Sequence, residues 1–86
     1  MKIIRADSFK RDYKKLLDKV KKQTDKALQL LIANLFHPSL KAKKIKSREN
    51  IREARVTKDY RFSFEIRGDT YILRRIGKHE EVLRKP

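Results

Sequence analysis

Near the amino terminus Ile3 and Ile4 form a short apolar pair flanked by Lys2 and Arg5, which predicts an opening strand. Phe9, Tyr13, Leu16, Leu17 and Val20 then recur at helical spacing. They predict a first helix capped by Asp7 or Ser8, whose side-chain oxygens suit the free amides of a helix start. A second helix is expected from about Thr24 or Asp25, with Ala27, Leu28, Leu31, Ile32 and Leu35 as its stripe. Pro38 biases His37 out of helical geometry and ends it. The two helices are expected to run antiparallel across a short turn.

The period changes from Ile51 onward. Ile51 to Val56 reads as a strand, and Tyr60, Phe62, Phe64 and Ile66 alternate with Arg61, Ser63, Glu65 and Arg67 in the two-residue rhythm of a half-buried one. Gly68-Asp69 supplies a two-residue hairpin turn into a strand from Thr70 to Ile76. Such a turn pairs Arg67 with Thr70, Phe64 with Leu73 and Arg61 with Ile76. This register sets Phe62, Phe64, Ile66, Tyr71 and Leu73 on one face to receive the helices. Arg61, Ser63, Glu65, Ile72 and Arg74 fall on the other, a half-polar face suited to binding. The predicted architecture is α+β over one domain, residues 1–86. A small antiparallel sheet carries two N-terminal helices on one face, in the order β-α-α-β-β-β.

The chain has 86 residues, with 25 Lys and Arg against 11 Asp and Glu, for a formal charge of +14. This length holds one modest core and excludes Rossmann and P-loop nucleotide folds. With no cysteine there is no disulfide, no Cys-based zinc site and no thiol nucleophile, which fits a reducing cytoplasm. The first residues lack the apolar stretch of a signal peptide. The greasiest run, Ala27 to Phe36, is interrupted by Gln29 and Asn34, so neither export nor membrane spanning is expected. The charge favours nucleic acid, the ribosome or an acidic protein as partner, ahead of a membrane. It is densest between Ser39 and Arg48, where Lys41, Lys43, Lys44, Lys46 and Arg48 occur with no acid among them. Read as a loop, this run suits either a phosphate backbone, held in a salt-dependent way, or plain solvation.

Only the two histidines exchange protons readily near neutral pH. His37 precedes a proline at a helix end, where capping or a surface place suits it, and two isolated histidines do not make a metal site. His79 lies in Ile76-Gly77-Lys78-His79-Glu80-Glu81-Val82-Leu83, which the hairpin register brings alongside Lys58 to Arg61. Strict alternation sends His79 to the helix side, and only a break at Gly77 or the strand end lets it join Arg61. Cleavage of RNA by its own 2′-hydroxyl needs a base, an acid and cations around the phosphorane, and no metal. His79 suits base or acid, with Arg61 and Lys43, Lys44, Lys46 or Arg52 stabilising charge. A lone histidine at a strand end is more often structural or merely exposed. No Ser-His-Asp motif is present, and Glu80-Glu81 reads as a solvated end.

Several segments together carry a resemblance. These are His37-Pro38-Ser39-Leu40 before the basic run, Ile51-Arg52-Glu53-Ala54-Arg55-Val56 leading to Asp59-Tyr60-Arg61-Phe62, and the closing segment through Leu83. In this order, over nearly the whole chain, they resemble the RelE/ParE superfamily of toxins from type II toxin–antitoxin systems, in its RelE-like mRNA interferase branch. The resemblance implies a toxin that enters the ribosomal A site and cuts messenger RNA without cofactor or metal. It implies Arg61 as the phosphate-binding arginine, His79 as a catalytic position, and Arg52 where some members carry a catalytic lysine. On that reading Lys41, Lys43, Lys44, Lys46, Arg48, Arg74 and Lys78 contact RNA.

Two positions depart from the pattern: Ala54 stands where well-known members have another lysine, and Leu83 where many have a tyrosine. Either His79 then carries the proton transfer, or cutting is slow or lost. The resemblance also implies a cognate antitoxin whose acidic or amphipathic segment covers the basic surface, with DNA reached only through that antitoxin. Two other readings share the fold: a ParE-like inhibitor of DNA gyrase, and a degenerate toxin that binds RNA or ribosomes without cutting.

Overall fold

The computed structural model describes all 86 residues, Met1–Pro86. Strand β1 (Lys2–Arg5) leads into helices α1 (Asp7–Lys14) and α2 (Asp18–Ala33). The expected helix through Val20 is therefore divided differently. The amide of Lys15 closes α1 onto Asp12 and Tyr13, and extended Leu17 restarts the chain, so Val20 belongs to α2. On α2 the buried stripe is Val20, Thr24, Ala27, Leu28 and Leu31. Thr24 joins it because its hydroxyl donates to the Val20 carbonyl at 2.8 Å, leaving no unpaired polar atom. Ile32, expected on the stripe, is exposed, and Leu35 lies beyond the helix. Neither Asp7 nor Ser8 caps α1. Ala6 holds that position, and the Ser8 hydroxyl instead donates to the Arg74 carbonyl. His37 is extended, and its Nδ1 accepts from the Ser39 amide at the head of a 3₁₀ turn, Pro38–Leu40.

Four further strands follow: β2 (Lys43–Ile45), β3 (Arg48–Arg55), β4 (Tyr60–Arg67) and β5 (Thr70–Lys78). They meander antiparallel, while β1 returns to pair parallel with β5, giving the order β1-β5-β4-β3-β2. The sheet is thus mixed and has five strands, where an antiparallel sheet of four, the opening strand and a meander of three, was expected. β2 lies within the basic run read as a loop. Its Ile45 is buried, and that anchors the lysines around it into a hairpin with β3. Gly68, at φ +57°, makes the predicted turn, and Arg67 pairs with Thr70 and Phe64 with Leu73 as expected.

Beyond Phe64 the register shifts by one residue. Ser63 opposes Arg75, Phe62 opposes Ile76, and Arg61 opposes Gly77 where Ile76 was expected. The shift brings two apolar side chains to one face. Leu73 and Ile76 are three apart and both buried, and a strand alternates faces every residue. A bulge at Arg74 lets both face the core.

The helix-bearing face buries Phe62, Phe64, Tyr71, Leu73, Ile76 and Ala54 against Phe9, Ala27, Leu28 and Leu31. Phe64 meets Tyr71 edge-on at 5.7 Å between ring centres. The other face is covered in part by a short third helix, α3 (His79–Arg84), not anticipated from the pattern. A methyl added at Gly77, which opposes Arg61, would touch the side chains of Glu81 and Val82, so α3 lies over this second face. Beneath it Ser63, Glu53 and Glu65 are buried, so the half-polar face is not the open surface the alternation suggested. No helix is long and apolar enough to cross a membrane.

Candidate active site

An open cleft of about 790 Å³ separates the β3–β4 turn from the start of α3. Lys58, Asp59 and Tyr60 line one wall, and Lys78, His79, Glu80, Glu81 and Arg84 the other. His79 is the first residue of α3 and is half-buried, and its amide donates to the Asp59 carbonyl at 2.9 Å. That bond ties the two walls together. The bulge at Arg74 is the break in alternation that His79 needs: it sets Gly77 opposite Arg61, and the chain then turns into α3. The cleft holds three cations and three carboxylates, a mixed field around one group suited to proton transfer at neutral pH.

Arg61 stands on the same side of the sheet but does not line the cleft. Its Nη1 donates to the carbonyls of Thr57 at 2.6 Å, Tyr60 at 3.0 Å and Lys58 at 3.2 Å, clasping the β3–β4 turn. Its Nε lies 4.0 Å from buried Glu53. Burial foremost, and then neighbouring Arg55, pulls the guanidinium below its ordinary value. β3 register makes Arg55 the direct partner of Arg61. Arg52 is in the row of Lys44 and Phe64, the row of the helix-bearing face, so Arg52 and Arg61 are not brought together. Ala54, opposite Phe62, is fully buried in the helix-bearing core. Leu83 is half-buried on α3.

Lys43, Lys44, Lys46 and Arg48 are exposed on the β2–β3 hairpin, and Lys41 before it is exposed at φ 46°. None of the structure's four ion pairs involves them, and no acid lies among them between Ser39 and Arg48. Lys78 is exposed in the cleft wall. Arg74 is committed elsewhere. Its Nη1 donates to Glu65 at 2.5 Å and its Nε to the Pro86 carbonyl at 3.1 Å. Those bonds, that of Arg74 foremost, hold the Glu65 carboxyl below its ordinary value. Two features of the site escaped the sequence reading. The buried acids Glu53 and Glu65 look like solvent positions by alternation. The role of Asp59 as backbone partner of His79 has no side-chain signature at all.

The sequence matches the family described as the ParE toxin of the type II toxin–antitoxin system, parDE, over residues 3–83. No curated protein matches it. Among solved structures, the RelB–RelE antitoxin–toxin complex from Methanococcus jannaschii contains a similar chain. The two are 26% identical, with 96% of this chain and 99% of the other covered and a TM-score of 0.75. The DinJ–YafQ toxin–antitoxin complex of E. coli is similar at 20% identity, with 93% of each chain covered and a TM-score of 0.77. A YoeB/ParE toxin from Agrobacterium tumefaciens is similar at 16% identity, covering 92% and 99%, with a TM-score of 0.78.

Proposed function

The chain belongs to the ParE toxin family of type II toxin–antitoxin systems, and from that premise we propose that it is a ribosome-dependent mRNA endonuclease. The observation that supports this reading most is the position of His79, half-buried at the mouth of a cleft between Lys58 and Lys78. In the proposed reaction the 2′-oxygen of the message attacks the adjacent phosphorus and the 5′-oxygen leaves, giving a 2′,3′-cyclic phosphate and a new 5′-hydroxyl. His79 either gives the leaving 5′-oxygen its proton, while Asp59, Glu80 or Glu81 takes the one from the 2′-hydroxyl, or takes the 2′-hydroxyl proton itself, while the Lys58 or Lys78 ammonium protonates the 5′-oxygen. Proton transfer of this kind contributes roughly 100- to 10,000-fold. Arg61 acts on the phosphate from outside the cleft lining, through the β3–β4 turn that it clasps and that carries Lys58, and the β2–β3 hairpin holds the message or ribosomal RNA through its lysines. With Leu83 where a tyrosine is common, the proton transfer depends on His79. A cognate antitoxin of opposite charge is the proposed protein partner, in keeping with the RelB–RelE and DinJ–YafQ complexes.

A second reading, inhibition of DNA gyrase, is favoured by the ParE description of the matched family. One experiment separates them. Purified protein is added to ribosomes translating a defined message, new 5′ ends are mapped by primer extension, and His79→Ala and Arg61→Ala are run beside it. Ends within the A-site codon that disappear in the variants establish the endonuclease. An intact message with translation continuing refutes it and moves the test to gyrase supercoiling. An intact message with translation arrested identifies a ribosome binder without cutting chemistry.

A further inference from the structure

β1 leaves the sheet after Arg5, which is opposite Leu73, yet β5 runs on to Lys78. Its outer edge beyond Leu73 therefore presents backbone groups with no strand to pair them, a demand that has to be met locally. Helix α1 meets it. The Ala6 amide donates to the Leu73 carbonyl at 2.9 Å, the Ser8 hydroxyl donates to the Arg74 carbonyl, and the Asp12 Oδ2 accepts from the Ile76 amide at 3.1 Å. Ser8 and Asp12 are four residues apart, on one face of α1. The same Asp12 carboxylate accepts from Arg75 Nε at 2.6 Å and Nη2 at 3.2 Å. These bonds surround the bulge at Arg74 and grip the two residues that follow it. The Arg75 guanidinium is correspondingly raised, its hydrogen bond to Asp12 being the main cause.

We propose that Asp12 is a positioning residue for the cleft: by holding Arg75 and the Ile76 amide it fixes the bulge, and with it the register that delivers His79 beside Asp59. The geometry sets the scale. Without the bulge the strand slips by one residue, about 3.4 Å along its axis, and every side chain after it changes face. Arg61 would then oppose Ile76, and His79 would pass beyond the Asp59 carbonyl that now holds its amide. A catalytic group has to be held within about 0.5 Å of its working place, so the slip removes His79 from the cleft altogether. The competing explanation is that burial of both Leu73 and Ile76 suffices to keep the bulge, in which case Asp12 contributes stability alone.

The functional half of this inference rests on the endonuclease reading, whereas the positional half is tested without RNA. Asp12→Ala and Asp12→Asn are compared by NMR, reading the His79 ring resonances and the cross-strand contacts of Arg61. Asp12→Ala is expected to move the His79 resonances and replace the Arg61–Gly77 contact with an Arg61–Ile76 one. Asp12→Asn, which keeps an acceptor for the Ile76 amide, is expected to restore both. In the ribosome assay Asp12→Ala should approach the loss seen in His79→Ala, roughly 100- to 10,000-fold, since His79 leaves the cleft. Should Asp12→Ala fail to fold, Asp12→Glu, which keeps the charge and displaces the carboxylate by one methylene, is read by the same signals. Wild-type Arg61–Gly77 contacts and His79 resonances in a folded Asp12→Ala or Asp12→Glu protein, with only the melting temperature lowered, overturn the proposal. If His79→Ala cuts as fast as the wild type, the endonuclease reading fails instead, and the resonances still decide the role of Asp12.

Discussion

Glu65 offers a quantitative test of how the face beneath α3 is held together. Its carboxylate is 6% exposed and takes Arg74 on one oxygen, and Arg67 and Asn50, each at 3.2 Å, on the other. The cations differ from it in exposure, Arg74 at 33% and Arg67 at 69%. That asymmetry predicts unequal costs for removing each side. Glu65→Gln releases two arginines that reach water, so the loss is that of charged hydrogen bonds, about 2 kcal/mol, with the exposed Arg67 adding little. Arg74→Met leaves the buried carboxylate with one mobile cation and an amide, and should cost about 3 kcal/mol, near the lower end for a broken buried pair.

The pH dependence has a definite sign. Glu65 is depressed below its ordinary value of 4.5, so its contribution is complete above that value and is lost as pH falls through the lower folded value. Both deficits should therefore shrink between about pH 7 and about pH 3. Urea unfolding followed by circular dichroism at several pH values measures them. A Glu65→Gln deficit that is absent at neutral pH or unchanged in acid would refute the argument, as would Arg74→Met proving the milder change. Because Arg74 is engaged in this pair, its loss should also alter RNA affinity less than loss of a hairpin lysine.

Ile76→Ala should destabilise by about 2–5 kcal/mol, since it empties a buried site that the bulge exists to fill. Phe36→Ser, at a side chain 83% exposed, should change unfolding by no more than about 0.5 kcal/mol. Gly77→Ala should be tolerated, because the added methyl makes ordinary contacts at 3.5 Å and 3.8 Å, whereas Gly77→Val should lift α3, read as faster proteolysis after Lys78. Converting Lys43, Lys44 and Lys46 together to Gln should reduce the slope of log affinity for single-stranded RNA against log salt by about 2. An unchanged slope would show that the hairpin does not touch the phosphates.

The parts of this fold that show in the sequence are those where one local rule acts alone. Gly68-Asp69 demands a tight turn, the alternation from Tyr60 to Ile66 demands a half-buried strand, and Pro38 demands an extended His37. The parts that do not show are those where two rules compete. Val20 continues the apolar spacing of α1 and also heads the stripe of α2, and Thr24 hides that stripe by satisfying its hydroxyl within the helix. Lys43 to Arg48 reads as solvated charge, and a single buried isoleucine makes it a strand. α3 buries only Val82 in six residues, too little for a helical period to register.

The candidate site inherits the largest of these conflicts. Leu73 and Ile76 both require the core while the strand alternates, and the bulge that reconciles them displaces every later residue by one position. Arg61 is visible as a residue, yet its partner across the sheet is not. His79 is visible as a proton-transfer group, yet its face depends on a hydrogen-bonded clasp from Asp12, sixty-four residues before Ile76. Local pattern specifies the site's components, and a contact between the first helix and the last strand specifies their arrangement. Conflicts of this kind concentrate where a fold departs from regularity, and here the departure lies two residues upstream of Ile76 and sets the register of the strand end that leads into the cleft.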